Sequence, residues 1–522
     1  MRRKPLILVS LLLAAFAINV DTTIVNLALP SLVRQLHASD SQLQWVVDAY
    51  NLMFAAALLA AGSLSDRFGR KGMLLAGLAV FGLASAAGGL TSSAGQLIAA
   101  RVVMGLGAAM VFPSTLSLIS NVFTERGERA RAIGLWGAIT GAAIALGPIV
   151  GGWLLQAFDW TSIFFAMAPV AAVGIALVAR YVPTSRDPLA PPTDRGGFVL
   201  STAAIALSVY TIIEAPGHGW GSARTLGGFA LTALALSAFV VWERRSDAPM
   251  LDLSLFRNLR FTAASGSVTV AFFSLSGFIF LITQYFQFLK TYSPLSTGVR
   301  LLPVATFVAL SSVLGTKLAV RFGTKLVVAL GLLAMAAFFG WVSTASVTTS
   351  YGTIAAQMVL AGTGMGLTAA PATEAIMGVV PRAKAGVGSA VNDATRLLGG
   401  TLGVAVIGSV FASLYASRLT AALPAGLPAA AVRAAHGSVG GAFAVAGGLL
   451  HGGHPALAAT VHNAASSAFF HGFSAANLVA AGAAAAGAVM ALWLLPAQPT
   501  AHGEKTAEPH ALGSPAAAAA TN

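Results

Sequence analysis

The sequence contains no cysteine and few charged residues. Without cysteine, the chain has no disulfide framework, thiol chemistry or cysteine zinc site. Charged residues make up only 9% of the 522 positions, whereas apolar residues make up 57% and the mean hydropathy is +0.80. Since about a quarter of the residues in a soluble domain are charged, most of this chain cannot face water. The composition excludes soluble domains and intrinsic disorder, and it argues against a nucleic-acid partner despite a net charge of +13.

The chain does contain a series of continuous apolar runs. A helix needs about 20 residues to cross ~30 Å of hydrocarbon, and continuous rather than alternating runs favour helices over barrel strands. The predicted fold class is therefore an all-α membrane protein with fourteen transmembrane helices. The predicted spans are 6–32, 44–63, 73–93, 97–123, 130–156, 161–182, 197–215, 225–242, 262–288, 297–317, 325–344, 352–380, 388–416 and 474–495.

The first apolar run has a second interpretation as a cleavable signal peptide. Arg2, Arg3 and Lys4 precede it, and Ala15-Phe16-Ala17 is similar to a cleavage site. The apolar stretch continues well past that site, and cleavage would remove one helix from a regular array. We therefore expect a retained span.

The basic residues predict the orientation of the spans. With the N-terminus inside, and with residues no more than three positions from the end residue of a span counted with the adjoining loop, 22 of the 30 lysines and arginines fall in cytoplasmic segments, six fall outside and two lie within spans. Basic residues concentrate in the cytoplasmic loops of membrane proteins. Both termini are therefore expected in the cytoplasm, with the protein in a bacterial inner membrane and its positive charge facing anionic lipid.

Two similar segments predict an internal repeat. Arg67-Phe68-Gly69-Arg70-Lys71 follows the second span, and Arg321-Phe322-Gly323-Thr324-Lys325 follows the tenth. Paired halves are typical of alternating-access transporters, in which the substrate site lies between the halves. Short basic glycine turns also recur by chance in polytopic proteins. The predicted organisation is a six-helix bundle, two inserted helices, a second six-helix bundle and a disordered cytoplasmic tail, at residues 1–182, 183–260, 261–495 and 496–522.

Residues 417–473 form a predicted long outer loop within the second bundle. The loop is rich in Ala, Gly and His, and a loop of that length is either functional or poorly ordered. Its histidines, which include His451 and His454, have no carboxylate or cysteine beside them, so no metal site is predicted. The chain also contains no P-loop, no G-x-S-x-G elbow and no H-E-x-x-H motif. Neither enzymatic activity nor a cofactor is expected.

Three charged residues of the first four spans are candidates for proton coupling and for the substrate cavity. A charge at the bilayer centre costs about 2.5–3.5 kcal/mol, so it usually faces a partner or a water-filled cavity. Asp21 lies in the outer half of span 1 and either exchanges a proton for a cationic substrate or holds helices together. Asp48 lies near the outer end of span 2, where it either approaches Asp21 or sits at the water interface. Arg101 in span 4 needs a carboxylate or carbonyl partner, and Asp21 is one candidate.

A second group of charges lies near the cytoplasmic face. Glu374 ends span 12, and Asp393 and Arg396 begin span 13 at helical spacing. These residues form either a gate and a substrate-attracting vestibule or an ion pair anchored at the interface. Glu214, at the outer end of span 7, is expected at the membrane surface.

Glycines form another pattern in span 5, at Gly141, Gly147, Gly151 and Gly152 around Pro148. Small residues at such spacings let helix backbones pack closely, and proline permits a kink. The pattern predicts a hinge or a seal between the halves, or tight packing without movement.

Several of these segments together resemble the major facilitator superfamily. The segment from Gly62 to Lys71 is similar to the loop 2–3 signature of that superfamily. It matches at every Gly, Asp, Arg and Lys position of the signature, namely Gly62, Asp66, Arg67, Gly69, Arg70 and Lys71. The resemblance implies that this loop is a conformational gate that stabilises the outward-facing state. Arg101 with the following glycines and Pro113 resembles the span 4 motif associated with proton coupling, and Gly141 to Gly152 resembles the antiporter motif.

Two further segments indicate a branch of the superfamily. Asp21 to Pro30 resembles the span 1 motif of drug:proton antiporters with fourteen spans, the EmrB/QacA-type multidrug exporters. Ala385 to Ala390, followed by Asp393 and Arg396, fits the same branch, as do the two inserted helices. The resemblance implies a proton-coupled exporter of small lipophilic or cationic compounds. An importer or symporter of the same fold and a dedicated exporter of one metabolite stay open as alternatives.

The partners expected for such an exporter are a small-molecule substrate, protons and the lipid bilayer. The proton gradient supplies the driving force, so no cofactor is expected, and the protein is expected to be a monomer. A periplasmic adaptor protein stays open as a further partner.

Overall fold

The computed structural model describes residues 4–186, 194–247, 249, 251, 253–379, 385–424 and 426–495. Within these ranges, the description leaves out the side chains of residues 59, 63, 66, 126, 127, 129, 130, 133, 134, 137, 138, 140, 141, 144, 145 and 385–390. The described residues form long α-helices joined by short turns. The α-helices are α1 (Lys4–Leu36), α2 (Asp40–Phe68), α3 (Arg70–Gly89), α4 (Ala94–Val122), α5 (Arg126–Ala157), α6 (Ser162–Tyr181), α7 (Arg195–His218), α8 (Ala223–Arg245), α9 (Leu259–Gln284), α10 (Pro294–Arg300), α11 (Leu302–Phe322), α12 (Thr324–Val342), α13 (Tyr351–Val379), α14 (Ala385–Ala422), α15 (Ala429–Gly437), α16 (Val439–His451) and α17 (Pro455–Leu494).

Two shorter elements interrupt the α-helices. A 3₁₀ helix, Leu253–Arg257, precedes α9, and a π-helix, Tyr285–Leu289, continues α9 at its end. The predicted spans agree with this all-helical architecture. In the described part of the chain, twelve helical segments are long and apolar enough to cross a membrane. The two predicted spans that are not among the twelve, 44–63 and 130–156, fall on α2 and α5, some of whose side chains lie outside the described residues.

The predicted outer loop differs from the structure. Residues 417–473 are largely helical, because α14 continues to Ala422, α15 and α16 follow, and α17 already begins at Pro455. Alanine has the highest helix propensity of all residues, which accounts for helices in this Ala-rich segment. The predicted tail, residues 496–522, lies outside the described residues.

The helices pack in two groups, with one helical hairpin beside them. The N-terminal group consists of α1–α6, and the C-terminal group consists of α9–α17. Contacts between the groups are made mainly by α1, α2 and α5 on one side and by α9, α10 and α14 on the other. We call the end of the bundle at which α1 begins the Lys4 end, and the end at which α1 finishes the Leu36 end.

The two groups repeat the same turn at the Lys4 end. Gly69 joins α2 to α3 with φ of 116°, and Gly323 joins α11 to α12 with φ of 88°, a region that favours glycine. The N–H of each glycine donates to the carbonyl four residues earlier, Ser65 at 3.1 Å and Ala319 at 2.9 Å. The sequence similarity between the two turns therefore extends to their backbone geometry.

The hairpin of α7 and α8 lies at the edge of the bundle. α7 packs against α2 of the N-terminal group and α14 of the C-terminal group, whereas α8 packs chiefly against α7. Trp45 Nε1 donates to Glu214 Oε1 at 3.4 Å, and Ser409 Oγ donates to the carbonyl of Ile212 at 2.8 Å. The hairpin is thus bonded to both groups through one face of α7.

Candidate functional site

A buried ion pair lies in the core of the N-terminal group. Arg101 of α4 donates from Nη1 to Asp21 Oδ2 of α1 at 2.5 Å, and the two side chains are 1% and 2% exposed. The pairing of these residues, for which the sequence offers Asp21 as one candidate, is confirmed. A buried pair that loses one partner leaves an uncompensated charge, which typically costs about 3–5 kcal/mol.

The second helix holds the arginine of this pair in place. Arg101 Nε donates to the carbonyl of Val46 at 3.0 Å, and its guanidinium lies 4.2 Å from the centroid of the Tyr50 ring. Tyr50 in turn donates its hydroxyl to the carbonyl of Ile18 at 3.2 Å. The cation–π contact and the hydrogen bonds join α1, α2 and α4 around one positive charge. A change in the charge of Asp21 therefore acts on three helices at once.

Asp48 is buried on a different face of α2. Its side chain is inaccessible to solvent, and neither carboxylate oxygen has a hydrogen-bond partner in the described part of the chain. Residues two apart on a helix lie about 200° apart, so Asp48 points away from Val46 and Tyr50. Of the two alternatives for Asp48, a place exposed at the water interface disagrees with this burial. The structure also gives it no hydrogen bond to Asp21.

The described glycines of α5 pack on two different sides of the helix. An added Cβ at Gly147 or Gly151 would press on Thr23 or Ile24 of α1, within the N-terminal group, whereas one at Gly152 would lie 2.6 Å from the Cα of Leu295 in α10, across the seam between the two groups. These close contacts explain why the three positions carry no side chain. Gly141 belongs to the part of α5 whose side chains lie outside the described residues.

Pro148 of α5 also lies at the seam between the two groups. Gly298 of α10 packs directly on the Pro148 carbonyl, so that the α5 and α10 backbones touch. The predicted close packing between the groups is confirmed, whereas a hinge movement at Pro148 stays a prediction.

Hydrogen bonds close the seam near the Leu36 end. Gln287 Nε2 in the π-helix donates to the carbonyl of Leu27 at 3.0 Å. Ser409 Oγ of α14 also lies within hydrogen-bond distance of Gln44 Oε1 of α2, at 3.3 Å. These contacts were not predicted, because neutral polar residues in apolar spans give no pairing signal. A π-helix often marks a functional position in a helix, and here it places Gln287 at the seam.

The predicted gate loop is a tight turn at the Lys4 end. Lys71 Nζ donates to the carbonyl of Ala179 at the end of α6 at 2.8 Å, and the backbone N–H of Arg70 donates to the carbonyl of Ser185 at 2.9 Å. A Cβ added at Gly62 would lie 3.8 Å from the Cβ of Pro113 in α4, and Arg67 is exposed. The side chain of Asp66 lies outside the described residues.

The second predicted group of charges remains near the Lys4 end. Asp393 and Arg396 of α14 form an ion pair of 3.7 Å, as their spacing predicts, and the guanidinium lies 4.7 Å from the centroid of the Phe272 ring. Glu374 is exposed on α13. The structure brings neither charge of the pair to the Asp21–Arg101 site, so the two groups of charges occupy different places.

Comparison with known proteins agrees with this architecture. The family model described as Major Facilitator Superfamily matches residues 11–404. The chain is 37% identical to the multidrug resistance protein Stp of Mycobacterium tuberculosis (strain CDC 1551 / Oshkosh) over 78% of this chain and 76% of Stp. It is 36% identical to the multidrug efflux pump LfrA of Mycolicibacterium smegmatis over 90% of this chain and 92% of LfrA.

Two further similarities are to a resistance and export protein and to a solved structure. The chain is 34% identical to the tetracenomycin C resistance and export protein of Streptomyces glaucescens over 77% of this chain and 74% of that protein. A bacterial homologue of the lysosomal transporter Spinster, solved in an inward-facing and occupied conformation, superposes with a TM-score of 0.66 at 15% identity. The superposition covers 95% of this chain and 98% of the other, and it supports the same fold.

Proposed function

Since the chain belongs to the major facilitator superfamily, we propose that it is a proton-coupled antiporter that exports small lipophilic or cationic compounds by alternating access. It is a multi-pass protein of the bacterial inner membrane, and it is a transport protein rather than an enzyme. The single observation that carries the proton-coupling proposal is the buried Asp21–Arg101 pair, because an isolated ion pair costs free energy in a membrane core and is retained where charge has a function.

The direction and breadth of transport are inferred from the relatives. Stp and LfrA are named for multidrug resistance and efflux, which supports export of more than one compound. The tetracenomycin C exporter and a methylenomycin A resistance protein of Streptomyces coelicolor are named for single compounds. A dedicated exporter of one metabolite is therefore the second candidate function.

The two helical groups are the proposed moving parts. We assign the Lys4 end to the cytoplasm, because its turns are rich in arginine and lysine. We also assign α2 and α5, which are 29 and 32 residues long, to the membrane, which raises the number of spans to fourteen. The contacts that join the groups near the Leu36 end would then form the outer gate, and substrate release would require the α5–α10 seam to open.

The proton gradient is sufficient for this work without a cofactor. One proton moving down ~100 mV supplies ~2.3 kcal/mol, enough for about a fifty-fold substrate gradient at ~1.4 kcal/mol per decade. Asp21 is the proposed proton carrier, with Arg101 as the charge that responds when the carboxylate is protonated. Asp48 is the proposed second acidic group. We propose that the protein acts as a monomer.

Transport in everted membrane vesicles tests the proposed function. Vesicles from a pump-deficient bacterium that produces the protein should accumulate a cationic dye when energised, and a proton uncoupler should abolish the accumulation. Accumulation that is unaffected by the uncoupler would contradict proton coupling. Accumulation in right-side-out vesicles instead of everted ones would contradict export.

Replacement of Asp48 is expected to affect stability and transport differently. Replacement Asp48→Leu removes a buried carboxyl that lacks a partner in the described residues, so the free energy of unfolding should stay unchanged or rise by about 1–3 kcal/mol. Transport driven by the proton gradient should fall at least ~10-fold. Thermal unfolding of the purified protein and dye accumulation in vesicles measure the two effects. A stable variant that transports normally would remove Asp48 from the mechanism.

A further inference from the structure

A crevice between α7 and α8 lies outside the proposed transport site. Its volume is about 320 Å³, and it opens beside the Leu36 end of the hairpin. Part of its lining is apolar or small, namely Leu207 on α7 and Gly227 and Leu231 on α8, and we call these three residues the floor of the crevice. Gly227 is exposed, and a side chain added there would meet no heavy atom within 4 Å, so the floor is open at this position. A crevice of this volume with an apolar floor can hold part of a hydrocarbon chain.

One rim of the crevice carries a positive charge with neutral partners. Arg224 Nη1 lies 2.7 Å from His218 Nε2, and Arg224 Nη2 donates to the Tyr210 hydroxyl at 2.7 Å. A guanidinium only donates, so His218 Nε2 accepts, and the ring is neutral with its proton on Nδ1. That proton is donated to the backbone carbonyl of Glu214 at 3.0 Å. The charge of Arg224 is oriented by these bonds and is not neutralised by them.

A carboxylate lies in the same crevice. Glu214 lines it from α7, and its Oε1 accepts the hydrogen bond from Trp45. No carboxylate lies within 4.0 Å of the Arg224 guanidinium nitrogens in the described part of the chain. The crevice therefore presents a separate cation and anion above an apolar floor. A zwitterionic headgroup on a hydrocarbon chain complements all three features, whereas an anionic headgroup without an ammonium would face the charge of Glu214.

We propose that the α7–α8 crevice binds one molecule of phosphatidylethanolamine from the bilayer. The phosphate lies on Arg224, the ammonium lies on Glu214, and an acyl chain runs over Gly227. Charge-assisted hydrogen bonds to phosphate and carboxylate supply the specificity, and the apolar floor supplies the hydrophobic contact.

The position of the crevice lets a bound lipid restrain the α7–α8 hairpin. Ile212 and Glu214, on the face of α7 that contacts the helical groups, accept hydrogen bonds from Ser409 of α14 and Trp45 of α2. A lipid held between α7 and α8 therefore restrains a hairpin that is bonded to both helical groups.

Native mass spectrometry of the purified full-length protein tests this site. Phosphatidylethanolamine and phosphatidylglycerol with identical acyl chains are titrated into the detergent-solubilised protein. We expect the first lipid to bind about 10-fold more tightly, Arg224→Gln to weaken it about 10-fold, and Glu214→Gln to remove the preference for it. Matched controls are Arg418→Gln and Asp159→Asn, which remove exposed charges outside the crevice and should change neither affinity.

A second variant leaves both charges in place. Gly227→Leu fills the open floor without a clash, so it should weaken phosphatidylethanolamine binding as much as Arg224→Gln does. Equal binding by the unmodified protein, Arg224→Gln and Gly227→Leu would overturn the proposal. Tighter binding of phosphatidylglycerol to the unmodified protein would also overturn it, as would tight binding of tetraphenylphosphonium that depends on Glu214 and not on Arg224. None of these three results bears on proton-coupled transport, which the vesicle assay measures separately.

Discussion

Replacement Asp21→Asn is expected to abolish the release of protons that substrate binding causes. Asparagine has nearly the shape of aspartate and still accepts a hydrogen bond from Arg101, but it carries no exchangeable acidic proton. Uncoupler-sensitive transport should fall at least ~100-fold, and the uncompensated arginine should reduce stability by about 3–5 kcal/mol. A pH-sensitive dye in weakly buffered solution measures proton release from the purified protein when substrate is added.

A double variant distinguishes proton coupling from a purely structural role. Asp21→Asn combined with Arg101→Gln replaces the ion pair by two neutral amides, so it should recover much of the lost stability because no buried charge remains. If Asp21 carries the proton, proton release and transport stay absent in the double variant. If the pair only holds α1 and α4 together, transport returns with stability. Asp159→Asn, in the exposed turn between α5 and α6, is the matched control and should transport normally.

Replacement Gly298→Leu is expected to open the seam near the Leu36 end. A side chain at Gly298 would be forced into the backbone of Pro148 and against Leu27, so α5 and α10 would have to separate. A penalty of about 1–3 kcal/mol on the closed arrangement shifts a two-state equilibrium about 5- to 150-fold towards the open one. Transport should fall at least ~10-fold, because alternating access requires both arrangements to be populated.

The absence of natural cysteine makes this shift measurable. Ser409→Cys places a single thiol in the buried contact between α2 and α14, where a membrane-impermeant maleimide should react slowly. Adding Gly298→Leu should increase the labelling rate at least ~10-fold. Gly340→Leu is the matched control, because a side chain there meets open space on α12. Unchanged labelling together with normal transport would show that the seam does not gate the pathway.

The predictions that depended on local pattern agree with the structure. Apolar runs predicted the helices because a span must be continuous in its hydropathy. The two similar basic glycine segments, from which an internal repeat was predicted, form turns of matching geometry at Gly69 and Gly323. The spacing of Asp393 and Arg396 predicted their contact because helical residues three apart are neighbours. Each of these inferences uses residues close in the chain, where the backbone alone fixes the geometry.

The segment 417–473 is the main place where the local sequence pattern predicted a different structure from the one observed. Its glycines and histidines favoured a loop, whereas its alanines form α15, α16 and the long start of α17. The glycine at position 440 packs on Phe288 of the π-helix and on Val33 of α1, so tertiary contacts overrode its low helix propensity. Of these helices, α16 consequently packs against α1 and the π-helix.

The amino-acid sequence by itself determined that this chain enters a membrane as helices, which charges are placed in apolar surroundings, and which superfamily its motifs match. Only the tertiary structure decided which of those charges meet. Asp21 and Arg101 are 80 residues apart, Asp48 turns away from both, and Gln287 reaches Leu27 from 260 residues away. The hydropathy of each residue is a property of its side chain, so the sequence alone shows which segments enter the membrane. The partner of a buried polar group depends instead on how the helices pack side by side.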